Sequence, residues 1–125
     1  MDQYNIEKDL RTVRAQFKAC RQALFVMGDP VRQDILILLS EKLDGGMNVT
    51  EITAKLSLSR PAVSHHLKVL KDGGFLKAEK TGTQIFYSIE MDEPFSRIQK
   101  LVENLGKIAK EIKTRRSGSG KKASG

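Results

Sequence analysis

The apolar residues Ile6, Leu10, Val13, Phe17, Cys20, Leu24 and Met27 are spaced 4, 3, 4, 3, 4, 3 along the chain. That is the seam of one long helix, predicted from about Asn5 to Met27. Toward the other end Phe95, Ile98, Val102, Leu105, Ala109 and Ile112 recur at 3, 4, 3, 4, 3, and Leu101 and Ile108 widen the face. Asp92 is placed to cap this second helix, with Pro94 in its first turn. Between the two seams the pattern shortens. Asn48 and Glu51 have the spacing of a capping box, and Ile52 and Leu56 give a brief apolar face behind it. Ser57-Leu58-Ser59 forms a polar turn with Leu58 as an inward plug. A further helix then starts, with Ser59 as its cap and Pro61 in its first turn. Asp72-Gly73-Gly74 ends it, glycine being the usual residue where a chain leaves a helix left-handed.

This helix carries the functional signal. Val63, Leu67 and Leu70 recur at four and three and make one buried stripe. At about 100° per residue, Pro61, Ser64, His65 and Lys68 fall on the opposite side, with His66 and Lys71 on the flanks. A hydroxyl, an imidazole and cations on an exposed helix face suit phosphate oxygens and base edges. The plain alternative is a solvated helix face. The segment after the helix favours DNA. Phe75–Lys80 and Thr83–Ile89 are β-prone runs separated by Thr81-Gly82, and in the second Ile85, Tyr87 and Ile89 alternate with Gln84, Phe86 and Ser88. Helix-turn-helix with a hairpin after it is a winged helix. Its tip, Lys80 through Thr83, is expected to lie along phosphates beside the groove.

Three motifs in order resemble one family. Met27-Gly28-Asp29-Pro30-Val31-Arg32-Gln33-Asp34-Ile35-Leu36 is similar to the opening motif of the ArsR/SmtB family of bacterial winged-helix repressors. Ser59 through Leu70 resembles that family's recognition helix, and Gly73-Gly74-Phe75-Leu76 its lead-in to the wing. The likeness spans about residues 24–89. It implies a homodimeric repressor on an imperfect inverted repeat of double-stranded DNA, with Ser64 and His65 near the bases and His66 packed against the body. The expected interface comprises Ser59, Arg60, Pro61, Ser64, His65, Lys68 and Lys71, joined by Lys77, Lys80 and Thr83 from the wing.

Charge agrees. The net charge is +7, but four cations lie after residue 113, so residues 1–113 carry +3. Between Ser59 and Lys80 five cations face only Asp72 and Glu79, a local excess suited to displacing counterions from phosphate. A basic surface also suits RNA or anionic lipid. No run of 18 apolar residues and no signal peptide are visible, so the expected location is the cytoplasm, away from membranes. One cysteine excludes an intramolecular disulfide.

The expected fold is mainly α with a small β-hairpin: a winged helix-turn-helix with long N- and C-terminal dimerisation helices over residues 1–113. A disordered basic tail, 114–125, completes the chain. A three-helix winged core is too small to cover both terminal helices, and a two-fold dimer is the natural remedy. No catalytic signature is present, so no enzyme is expected. No metal or other cofactor is expected either. One site that the family uses is a Cys-x-Cys pair where this chain has Asn48-Val49-Thr50, and an amide and a hydroxyl replace soft thiolates poorly. Another uses Asp, His and Glu on the last helix, where residues 95–113 offer only Glu103 and Glu111. The effector is left unknown. Cys20 reads as a small buried hydrophobe, with redox sensing through a Cys20–Cys20 link across the dimer as the alternative. Two further alternatives remain, a DNA-binding activator and a winged-helix protein–protein module. The second predicts apolar or acidic residues where Pro61, Ser64, His65 and Lys68 stand.

Overall fold

The computed structural model describes residues 5–124. Its elements are α1 (Ile6–Met27), α2 (Pro30–Ser40), β1 (Met47–Asn48), α3 (Val49–Leu56), α4 (Arg60–Asp72), β2 (Leu76–Thr81), β3 (Gln84–Ile89) and α5 (Asp92–Ser124). They divide into two compact units, residues 22–95 and the two chain ends up to Arg21 and from Ser96.

The central unit holds the winged helix-turn-helix. Its core is Val26, Ile35, Leu39, Ile52, Val63, Leu67, Leu70 and Phe75, all sealed from solvent. Burying each side chain of this size contributes roughly 1.5–3 kcal/mol. The predicted capping box is formed: Asn48 Oδ1 accepts from Glu51 N at 2.9 Å, and Glu51 Oε1 accepts from Asn48 N at 3.0 Å. Ser57 ends α3 in the left-handed region (φ 54°), its N–H donating to Thr53 O at 3.0 Å. Leu58 is half-buried beneath the turn. Ser59 then caps α4, accepting from Ala62 N at 3.3 Å.

The wing has one strand more than the sequence predicts. The antiparallel order is β1-β3-β2, with Met47 opposite Tyr87 and Leu76 opposite Ile89. Two residues are too few to show alternation, so β1 leaves no trace in the pattern. What admits it is Gly46, at φ +70°, where an added Cβ would stand 2.1 Å from the Tyr87 carbonyl oxygen. Only glycine lets the backbones come this close. Thr81 pairs with Gln84, so the connection is Gly82-Thr83, with Gly82 at φ +64°. The expected alternation along the second wing strand is not observed: Ile85 is 44% exposed while Ser88 is buried. The tip half of β3 has no core beneath it, and at the base the small Ser88 side chain lies beside Gly46.

The second unit pairs the first part of α1 with α5. Val13, Cys20, Leu101 and Ile108 form its core, and Ile6, Ile98 and Leu105 pack against them. Gln16 Oε1 accepts from Asn104 Nδ2 at 3.0 Å. The seam along α1 is therefore split. Val13 and Cys20 are spent inside the chain, while Leu10 and Phe17 stay exposed, as do Val102 and Ile112 on α5. Cys20 is 1% exposed against this intrachain core, the small buried hydrophobe that its place on the apolar seam predicts.

The last helix begins with Asp92, the N–H of Phe95 donating to Met91 O, so Asp92 lies inside the first turn rather than at its cap. It continues to Ser124, past the residue 114 at which composition suggested a disordered tail. Lysine and arginine between Lys107 and Arg116 are good helix formers, and Arg115 Nε donates to Glu111 Oε2 at 2.7 Å one turn back. Nothing in the Ser-Gly repeat itself favours the extension. No helix among the described residues is long and apolar enough to cross a membrane.

Candidate nucleic-acid interface

The exposed face of α4 stands on a polar network centred on Arg32. Asp29 Oδ1 caps α2, accepting from Val31 N at 2.9 Å and Arg32 N at 3.1 Å. Arg32 turns back under the helix end and is 5% exposed. Its Nε donates to Val26 O at 2.7 Å and its Nη2 to Phe25 O at 3.2 Å. Gln33 Nε2 donates to Met27 O at 2.7 Å. These are carbonyls of the last turn of α1, where a helix leaves its final acceptors open; Phe25 O alone also accepts from Gly28 N, at 3.2 Å. That turn contains no basic residue of its own, so Arg32 also supplies the cation favoured at a helix C-terminus.

The remaining arm of Arg32 reaches α4. Nη1 lies 3.3 Å from His66 Nδ1. A guanidinium only donates, so Nδ1 accepts and the imidazole proton sits on Nε2. Asp29 Oδ1 is 4.0 Å from the same nitrogen. His66 thus faces the body, and His65, whose ring meets it edge-on at 5.5 Å, faces solvent. Neither Arg32 nor its partners belong to the interface expected from sequence. In the sequence Asp29, Pro30 and Arg32 stand out only as part of a motif shared with a family, and nothing there marks Asp29 as a cap or Arg32 as nearly buried.

Of the ten residues expected at the interface, all are exposed. Val63, Leu67 and Leu70 are buried directly behind Ser64, His65 and Lys68. Arg60, Ser64 and Lys68 recur at intervals of four, one turn apart on the same stripe. Lys68 Nζ rests 3.0 Å from Asp72 Oδ2, a surface pair too weak to hold it from a phosphate. Arg60 and Thr83 border one cavity. Lys77 and Lys80 are not brought together. Three positions apart on β2, they point to opposite faces, and Lys77 lies 3.9 Å from Glu79.

A sequence profile described as "Bacterial regulatory protein, arsR family" matches residues 29–78, the segment from the Asp29 cap to β2. An uncharacterized HTH-type transcriptional regulator of Methanocaldococcus jannaschii is 40% identical over 90 residues, spanning 72% of this chain and 98% of that one. The chain belongs to the ArsR family. It is a DNA-binding transcriptional regulator, and such proteins are not enzymes. This ArsR-family regulator is also similar to the transcriptional repressor SdpR of Bacillus subtilis, 35% identical over 63 residues, half of this chain and 67% of that one. Among solved structures, HlyU from Vibrio cholerae is 30% identical and superposes with a TM-score of 0.54 over 67% of this chain and 89% of that one.

Asp29 ties the network to pH. Its carboxyl is held below the ordinary value of 3.8, chiefly by the backbone N–H of Arg32, against some opposition from burial. The charge of Arg32, that of His66 once its ring is protonated at acid pH, and the Val31 N–H add to the effect. A depressed folded-state value gives stabilisation that is complete above the ordinary value and lost as pH falls through the lowered one. In urea unfolding, the stability gap between the wild type and Asp29→Asn is expected to hold from about pH 7 to about pH 5 and to close below about pH 4. A gap unchanged down to about pH 2 would show that the Asp29 charge plays no part.

Proposed function

We propose that this ArsR-family regulator is a homodimeric cytoplasmic repressor that reads an imperfect inverted repeat through α4. The observation that carries the reading is the α4 face itself. Ser64, His65 and Lys68 are exposed over a sealed apolar stripe and held in place from below by Arg32 and His66. In this reading Ser64 and His65 reach base edges. Ser59, Arg60, Pro61, Lys68, Lys71, Lys77, Lys80 and Thr83 meet backbone or flank it. The opposite faces of Lys77 and Lys80 allow only one of the two on any single phosphate row. The likeness to SdpR, a repressor by name, favours repression. Residues 1–113 suffice for the function, and the cations beyond add only affinity without sequence preference.

The dimer is supported by apolar side chains that the chain ends leave uncovered: Leu10 and Phe17 on α1, Val102 and Ile112 on α5. Leu10 and Phe17 are seven apart, as are Val13 and Cys20 on the intrachain side, so α1 has a second heptad stripe for a second copy. Val102 is 58% exposed, so Val102→Glu leaves the isolated chain intact and buries a charge only in a dimer. Light scattering is expected to give a dimer for the wild type and a particle of one chain mass for this variant. A dimeric Val102→Glu protein would place the interface elsewhere.

Base reading and backbone attraction separate by mutation. His65→Ala is expected to cost about 1–3 kcal/mol on the selected site and to relax preference there. Lys68→Ala is expected to weaken binding alike on selected and random DNA and to flatten the salt dependence by about one unit. Fluorescence anisotropy titrations at several salt concentrations check both. Equal losses on both DNAs for His65→Ala would remove His65 from base reading.

A further inference from the structure

Beside the recognition helix a cavity of about 240 Å³ opens between the start of α3, the start of α4 and β3. Two cross-element hydrogen bonds build its walls. Arg60 Nη1 on α4 donates to Thr50 Oγ1 on α3 at 2.9 Å. Asn48 Nδ2, at the cap of α3, donates to Gln84 Oε1 on the wing at 3.0 Å. Each bond uses up one atom of a polar group and orients the rest. Arg60 keeps its Nε and Nη2 protons. Thr50 accepts from Arg60 and so keeps its hydroxyl proton to donate. Gln84 spends its carbonyl oxygen on Asn48 and keeps both Nε2 protons. The Thr83 hydroxyl and the Tyr87 ring complete the lining, and no carboxylate contributes to it.

We propose that this notch is a seat for a single DNA backbone phosphate, formed by Arg60, Thr50 and Gln84. The inference rests on the DNA-binding reading of α4 and adds residues of α3 and β3 that no motif marked. Three observations converge on it. The polar protons left over are all donors, and the lining bears one cation and no anion, the chemistry of a phosphodiester site. Arg60 lies on the stripe of Ser64 and Lys68, so a strand read by that stripe passes the mouth of the notch. The opposite wall is the wing, where Ile85 is exposed beside Gln84 and offers apolar surface to a deoxyribose. Of the two bonds that preorganise the donors, Arg60–Thr50 ties α4 to α3 and Asn48–Gln84 ties the wing to the helix-turn-helix, so the seat is set before DNA arrives.

The test uses the full chain and a DNA site selected from a random pool, probed by ethylation interference. With the wild type, ethylating one phosphate per half-site outside the bases read by α4 is expected to block binding. With the Thr50→Val/Gln84→Ala double variant, affinity is expected to fall about tenfold on selected and random DNA alike. Ethylation of that phosphate is then expected to cost nothing further, while every other interfering phosphate still blocks. Arg60→Gln is expected to lower the salt slope by about one. A double variant with wild-type affinity and an unchanged interference pattern overturns the seat while leaving DNA binding intact. The seat is equally overturned if inorganic phosphate, exchanged for chloride at constant ionic strength, releases the wild type but not the double variant while the interference pattern stays unchanged, since the notch then takes a free anion. A wild type that retains no DNA overturns both readings together.

Discussion

Burying a guanidinium costs several kcal/mol unless its N–H groups find acceptors, and the position of α4 depends on Arg32 finding them. Two of its arms close the carbonyls at the end of α1, and the third holds His66 on the buried flank of α4. Asp29, one turn earlier, caps α2 and lies 4.0 Å from the same imidazole. Three helices therefore meet at one cation. Removing it would orphan the Val26 carbonyl and the His66 acceptor at once and leave Phe25 O with the Gly28 N–H alone, which is why a motif of Asp, Pro and Arg matters to a surface it never touches.

Above that network the division of labour is simple. Val63, Leu67 and Leu70 fix α4 in depth, Arg32 and His66 fix it in rotation, and the face that remains is polar and cationic. The capping box of Asn48 and Glu51 fixes where α3 begins, and the left-handed Ser57 fixes the turn between the two helices. The wing is held by Gly46, whose missing side chain admits β1 to β3, and by the bond between Asn48 and Gln84. The residues proposed to bind DNA thus stand on elements whose own geometry is settled by burial and backbone hydrogen bonding.

Much of this was legible along the chain because it is local. The boundaries of α1, α3 and α4, both caps and the buried stripe of α4 come from spacing and from residues that bond within one helical turn. The wing hairpin was visible, but β1 was not, since two residues have no period. The alternation in β3 misled, because a strand whose tip overhangs the core need not bury its apolar face. Arg32 and the Thr50–Arg60 and Asn48–Gln84 pairs were invisible for a different reason: they join residues far apart in sequence, and each is polar where pattern reading expects polar residues to face water. The terminal seams showed that apolar faces exist but not that Val13 and Cys20 are used inside one chain while Leu10, Phe17 and Val102 are left over.

The central claim is that two copies of α4 read DNA symmetrically. A hydroxyl-radical footprint on DNA selected by the protein from a random pool tests it most directly. Two protected patches related by a dyad, with centres about 10–10.5 base pairs apart and an inverted repeat beneath them, are the predicted result. A single unrepeated patch, or a pool that shows no sequence preference after selection, would contradict it.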